Sequence, residues 1–105
     1  MNLNKQMLQM AKQMQQKMTQ MQEELAETEV EGSSGGGMVK AWATGLGEFL
    51  RIEISPEVID PEDKEMLEDL VTTAVRDALE KGKALHAEKM GAIMPGGMGG
   101  MPGLF

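Results

Sequence analysis

Between Leu3 and Leu25 the apolar residues stand at Leu3, Met7, Met10, Met14, Met18, Met21 and Leu25, in steps of four, three, four, four, three and four. Such steps fall on one stripe only when the chain is an α-helix. The pattern repeats after eleven residues, from Leu3 to Met14 to Leu25. That period, about 3.67 residues per turn, suits an almost straight helix better than a left-handed heptad coil. At about 1.5 Å per residue the helix is roughly 33 Å long. A chain of 105 residues has one modest core, too small to cover it, so the N-terminal part is expected to project or to pack on another subunit.

Around Glu27 the period changes to alternation. Thr28 and Val30 lead into Gly32-Ser33-Ser34-Gly35-Gly36-Gly37, which predicts a strand ending in a glycine-rich hairpin loop. Met38 to Thr44 places Val39, Ala41 and Ala43 on one face and Met38, Lys40, Trp42 and Thr44 on the other, and Gly45-Leu46-Gly47 turns the chain into a third strand. There Leu50, Ile52 and Ile54 alternate with Phe49, Arg51 and Glu53. One face is thus aliphatic and fit for helices. The other carries Trp42 and Phe49 and is expected to be too apolar to stay wet.

Ser55-Pro56 closes the third strand, and Asp60-Pro61-Glu62-Asp63 predicts a helix start with Asp60 as the cap and Pro61 in first position. Met66, Leu67, Leu70, Val71, Ala74, Val75, Ala78, Leu79 and Leu85 form the stripe of a second long helix, weakened near Gly82, with Lys81, Lys83 and Lys89 toward its C-terminal end. Beyond Gly91 glycine and proline recur too often for a packed element. Residues 1–91 are therefore predicted to form one α+β domain in the order α-β-β-β-α, a three-stranded antiparallel sheet with a long helix at each end. Residues 92–105 are predicted to be a flexible Met/Gly/Pro-rich tail.

The residue inventory narrows the chemistry. The chain has no cysteine and a single histidine, His86, which excludes thiolate chemistry and leaves too few ligands for an ordinary zinc site. Thioether coordination of Cu(I) by the methionines is the sharper alternative to packing, but helical spacing alone accounts for every position in the stripe. His86 lies on a helix, and Ser33, Ser34 and Ser55 lie in glycine or proline contexts, so no nucleophile and base are specified. The glycine run lacks both a Gly-Lys-Ser/Thr ending and a following helix, so a hairpin is expected there rather than a phosphate loop. No enzyme activity, cofactor, metal or small-molecule substrate is expected. The N-terminus has no continuous apolar run of the kind found in signal peptides and membrane spans, and the expectation is a soluble cytoplasmic protein.

A net charge of −7 argues by itself against nucleic acid, because phosphate binding draws its strength from Lys and Arg. Charge is segregated, however. Residues 1–22 hold Lys5, Lys12 and Lys17 and no acid, residues 23–31 hold five acids and no base, and residues 57–69 hold seven acids against Lys64. Lys5 and Lys12 share a helix face while Lys17 lies far round the axis. A DNA-binding face and an ordinary solvated helix would both carry these lysines, and residue chemistry alone leaves the two open. Only Trp42, Phe49 and Phe105 are aromatic, against twelve methionines, which makes a core shared between subunits attractive.

The order of these elements is matched by particular segments: Met18-Thr19-Gln20-Met21-Gln22-Glu23-Glu24-Leu25, Val30-Glu31-Gly32, Gly37-Met38-Val39-Lys40, Gly45-Leu46-Gly47-Glu48, Ile52-Glu53-Ile54-Ser55-Pro56-Glu57, Asp63-Lys64-Glu65-Met66-Leu67-Glu68-Asp69-Leu70, Ala74-Val75-Arg76-Asp77-Ala78 and Met101-Pro102-Gly103-Leu104-Phe105. In their joint order and spacing they resemble the YbaB/EbfC family of bacterial nucleoid-associated proteins over nearly the whole chain. The resemblance implies a tweezer-like homodimer that binds double-stranded DNA with little or modest sequence preference and helps organise the nucleoid or regulate genes. By position it implies Lys5, Lys12, Lys17, Lys81, Lys83 and Lys89 as DNA contacts, and it gives Met38, Trp42 and Phe49 a role at the dimer interface. The competing expectation is a protein-interaction adaptor that uses the methionine helix and the tail.

Overall fold

The computed structural model describes residues 2–93. Helix α1 spans Asn2–Glu27, strands β1, β2 and β3 span Glu29–Ser34, Val39–Thr44 and Phe49–Ile54, and helix α2 spans Lys64–Ile93. Short 3-10 turns occupy Gly35–Gly37 and Pro56–Val58. The three strands form one antiparallel sheet in the order β1-β2-β3. This is the α-β-β-β-α arrangement expected from the pattern. Residues 94–105, most of the expected tail, lie outside the described residues, while Ala92 and Ile93 continue α2.

The core lies between one face of the sheet and α2. Val39, Ala41 and Ala43 of β2 are fully buried against Ala74 and Ala78 of α2, with Val30, Ile52, Ile54, Leu70, Val71, Val75 and Leu79 packed round them. Small residues on both sides let helix and sheet approach closely. The closest approach explains Gly32, which belongs to β1 and not to a loop: a Cβ there would overlap the backbone of Ala78. Gly82 serves the same purpose, since its Cβ would stand 2.5 Å from the Thr44 carbonyl oxygen, and α2 continues through it to Ile93.

The start of α2 differs from expectation by one turn. Asp63, not Asp60, is the cap, and its Oδ1 accepts the Met66 amide at 3.3 Å. Asp60 instead accepts from the Glu62 amide at 3.0 Å through its side chain and from the Asp63 amide at 2.9 Å through its carbonyl. Pro61 therefore occupies the turn that precedes the helix. Both aspartates have the chemistry of a cap, and the closed turn at Asp60 decides between them.

The sheet face away from α2 also differs from expectation. Its cross-strand rows are Glu31–Trp42–Arg51 and Ser33–Lys40–Glu53, so it is mixed and charged rather than broadly apolar. Arg51 lies over the Trp42 ring, 4.4 Å from its centre, and reaches Glu29 at 3.0 Å. A register shift between Trp42 and Ala43 pairs Ala43 with Phe49 and leaves Leu50 as the extra residue. Simple alternation had put Phe49 beside Trp42. The bulge moves it one place, and both Phe49 and Leu50 remain exposed, at 44% and 38%.

The two edges of the sheet are treated differently. On β1 the Ser33 amide donates to Asp77 at 3.0 Å and the Glu31 carbonyl accepts from Lys81 at 3.1 Å, so α2 side chains satisfy the outer edge. On β3, among the described residues, no side chain bonds the backbone. The result is an elongated body of 74 × 31 × 16 Å, because the N-terminal half of α1 extends beyond it.

Candidate nucleic-acid interface

At about 100° per residue, Lys5 and Lys12 lie on the face of α1 opposite the Leu3–Met7–Met10–Met14 stripe. The stripe turns toward α2 where the helices meet, which leaves the lysine face to solvent, and Lys5, Lys12 and Lys17 are all exposed. Lys12 borders a shallow polar depression with Gln15, Gln16, Thr19, Gln20 and Glu23. Amide and hydroxyl groups of this kind bond phosphate oxygens beside a cation. Among the described residues these three lysines make no ion pair.

The α2 lysines fall into three situations. Lys81 is held at Asp77 by a 3.2 Å pair while it bonds Glu31, so it secures the sheet edge. Lys89 pairs with Glu24 of α1 at 3.3 Å and shares a depression with Lys17, Gln20 and Ile93. Lys83 is exposed and lines a groove with Arg76, Val71, Val75 and Leu79 on the flank of α2 away from Asp77 and Lys81. The six lysines expected from the sequence thus do not converge. Lys17 and Lys89 come together, Lys5 and Lys12 share one face, Lys83 stands apart and Lys81 is engaged in the fold.

Arg76 was not among the expected contacts, yet it shares the groove of Lys83 and is exposed. Its signal was present in the sequence, since residues seven apart on a helix lie on nearly the same face. Among the described residues the one clear electrostatic perturbation belongs to the β1 edge. Asp77 is held below its ordinary carboxylate value by the Ser33 amide bond first and by Lys81 second, against a small opposing effect of burial. Among the described residues no group of His, Cys, Asp or Glu is placed to hold a metal ion, and no helix is long and apolar enough to cross a membrane.

The family profile described as the YbaB/EbfC DNA-binding family matches residues 1–98. A protein of Streptomyces avermitilis named nucleoid-associated protein is 52% identical over 101 residues, which covers 95% of this chain and 89% of that protein. A nucleoid-associated protein of Clostridium perfringens is 56% identical over 78 residues, 74% of this chain and 68% of that one. Among solved structures, an uncharacterized protein of Helicobacter pylori superposes with a TM-score of 0.69 at 26% identity, over 80% of this chain and 88% of that chain.

Proposed function

The chain belongs to the YbaB/EbfC DNA-binding family, and from that premise we infer that it is a DNA-binding nucleoid-associated protein whose projecting α1 carries the principal duplex contacts. The family is a DNA-binding one and not an enzyme family. The observation that carries the reading is the basic half of α1: Lys5, Lys12 and Lys17 are exposed, without intramolecular ion pairs among the described residues, on a stretch of 22 residues that contains no acid, and Lys5 and Lys12 share one face. Lys5 and Lys12 face the duplex together, and Lys83 with Arg76 forms a second cationic position on α2. Because so few cations are involved, binding is weak, easily screened by salt and of little sequence preference.

The working unit is a homodimer, which doubles each contact and raises avidity without new chemistry. The support lies at β3, whose edge is not bonded by side chains among the described residues, beside exposed Phe49 and Leu50. An unprotected edge next to apolar surface favours pairing with a second copy. Trp42 lies beneath Arg51 and Met38 sits at the turn before β2, so of the three expected interface residues Phe49 has the strongest structural support. Such a dimer acts at the nucleoid, in the cytoplasm.

Fluorescence anisotropy of a mixed-sequence duplex, titrated from low to physiological salt, tests the reading. Binding should fall steeply with salt, and Lys5→Ala/Lys12→Ala should flatten the log–log slope by about 1.8 per chain, at about 0.9 per lost phosphate contact. Absence of binding at low salt, with helical signal intact, would overturn it in favour of an adaptor, for which salt matters little.

A further inference from the structure

Leu8 lies outside the apolar stripe of α1. Along the helix it stands between Lys5 and Lys12, within about 60° of both around the axis, and it is 64% exposed. Phosphate is contacted by charged and polar groups, so duplex binding leaves this leucine without a use. Lys5, Leu8 and Lys12 together make a face about 10 Å long, an apolar centre with a cation at either end.

The far end of the molecule carries the complement. At the start of α2 a groove of about 420 Å³ is lined by Met66 and Leu70 together with Asp63, Glu65 and Asp69. Met66 is 38% exposed, all three acids are exposed, and among the described residues Glu65 and Asp69 form no ion pair. Residues 57–69 hold seven acids against Lys64, so the groove repels a duplex and attracts a cation. Asp63 to Asp69 spans about 9 Å of helix, close to the separation of Lys5 and Lys12.

The basic face cannot reach the groove of its own chain. Ile93 at the end of α2 borders one depression with Met10 and Met14 of α1, and Met66 lies about 40 Å of helix back from Ile93. We propose that the Lys5–Leu8–Lys12 face of one copy docks in the Met66–Leu70 groove of a second copy, leucine against the apolar side chains and lysines against the carboxylates. The two surfaces differ and every copy carries both, so the contact is heterologous and propagates into open chains. It is small, hence weak and easily screened by salt. Lys5 and Lys12 are also the duplex contacts inferred above, and to the extent that this second role rests on that reading, a docked face is withheld from DNA.

Sedimentation of the full-length protein without DNA tests the contact. At low salt the weight-average mass should rise with concentration beyond that of a dimer, and the growth should vanish at about 1 M salt, where screening acts within about 3 Å. Lys5→Glu/Lys12→Glu and Glu65→Lys/Asp69→Lys should each lose the growth while keeping their helical signal. An equimolar mixture of the two should regain it, because each face then meets a groove of opposite charge. An unaltered protein that never passes the dimer at low salt would overturn the proposal, and so would a mixture no larger than its components. Since the chain has no cysteine, a second measurement fixes the place of contact. Leu8→Cys chains mixed with Met66→Cys chains should form the mixed disulfide at least about tenfold faster than Gln6→Cys chains do, because Gln6 lies about 160° round α1 from Leu8. Equal rates would also overturn the proposal. Neither readout involves DNA, so failure here is distinct from failure of the nucleic-acid reading.

Discussion

Gly32 of β1 and Ala78 of α2 meet backbone to backbone: a methyl group on Gly32 would overlap the Ala78 amide nitrogen and stand 2.5 Å from the Ala74 carbonyl oxygen. Neither neighbour can rotate aside, since both are helix backbone. Gly32→Ala is therefore expected to cost about 3 kcal/mol through forced separation of helix and sheet. Urea unfolding followed by circular dichroism measures it, and a loss below about 0.5 kcal/mol would contradict the packing.

The far end of the core depends on Leu25, which is fully buried and whose carbonyl accepts the Gly45 amide at 3.0 Å. Leu25→Ala should destabilise the protein by about 2–5 kcal/mol, as large-to-small changes in packed cores do. The same variant should raise amide exchange at Gly45, because the end of α1 is held to the β2–β3 turn by that hydrogen bond.

Acid should loosen the β1 edge. The folded Asp77 carboxyl titrates below its unfolded value, near 3.9 for an aspartate. Its contribution is therefore complete above the unfolded value and is lost as pH falls through the folded one. Asp77→Asn should flatten the acid limb of stability against pH below about pH 4 and leave the curve above about pH 6 parallel to that of the unaltered protein. Thermal melts at stepped pH decide this.

Two lysines two residues apart should behave differently toward DNA. Lys83 is exposed and its removal should flatten the salt dependence by about 0.9 per chain. Lys81 already bonds Glu31 and Asp77, so Lys81→Ala should leave the slope unchanged and instead speed amide exchange at Ser33. Equal effects on the slope would mean that the intramolecular contacts of Lys81 give way to phosphate.

Assembly can be checked at the β3 bulge. Leu50→Asp and Phe49→Asp place a charge on the exposed edge and should shift sedimentation from dimer to monomer. Lys40→Ala, on the other sheet face, should not. Retention of the dimer in both aspartate variants would move the interface elsewhere.

Much of this architecture was legible because it is written in local periods. The steps of four and three from Leu3 to Leu25 specify a helix without reference to any neighbour, and the alternation of Val39, Ala41 and Ala43 picks out the buried face of β2. The lysine face of α1 was legible for the same reason, since the angular position of Lys5 and Lys12 follows from helical geometry alone. Family membership was legible in the joint order of the segments.

What only the tertiary structure decided depends on contacts between residues distant in sequence. Asp60 and Asp63 are equally good caps until the turn closes. Lys81 and Lys83 are the same residue type two positions apart, and only the approach of β1 separates the engaged lysine from the free one. The register shift at Leu50 moves Phe49 from one sheet face to the other because pairing, not alternation, sets strand register. Gly32 resembles a loop glycine in sequence, yet the helix that needs its missing side chain lies more than forty residues away.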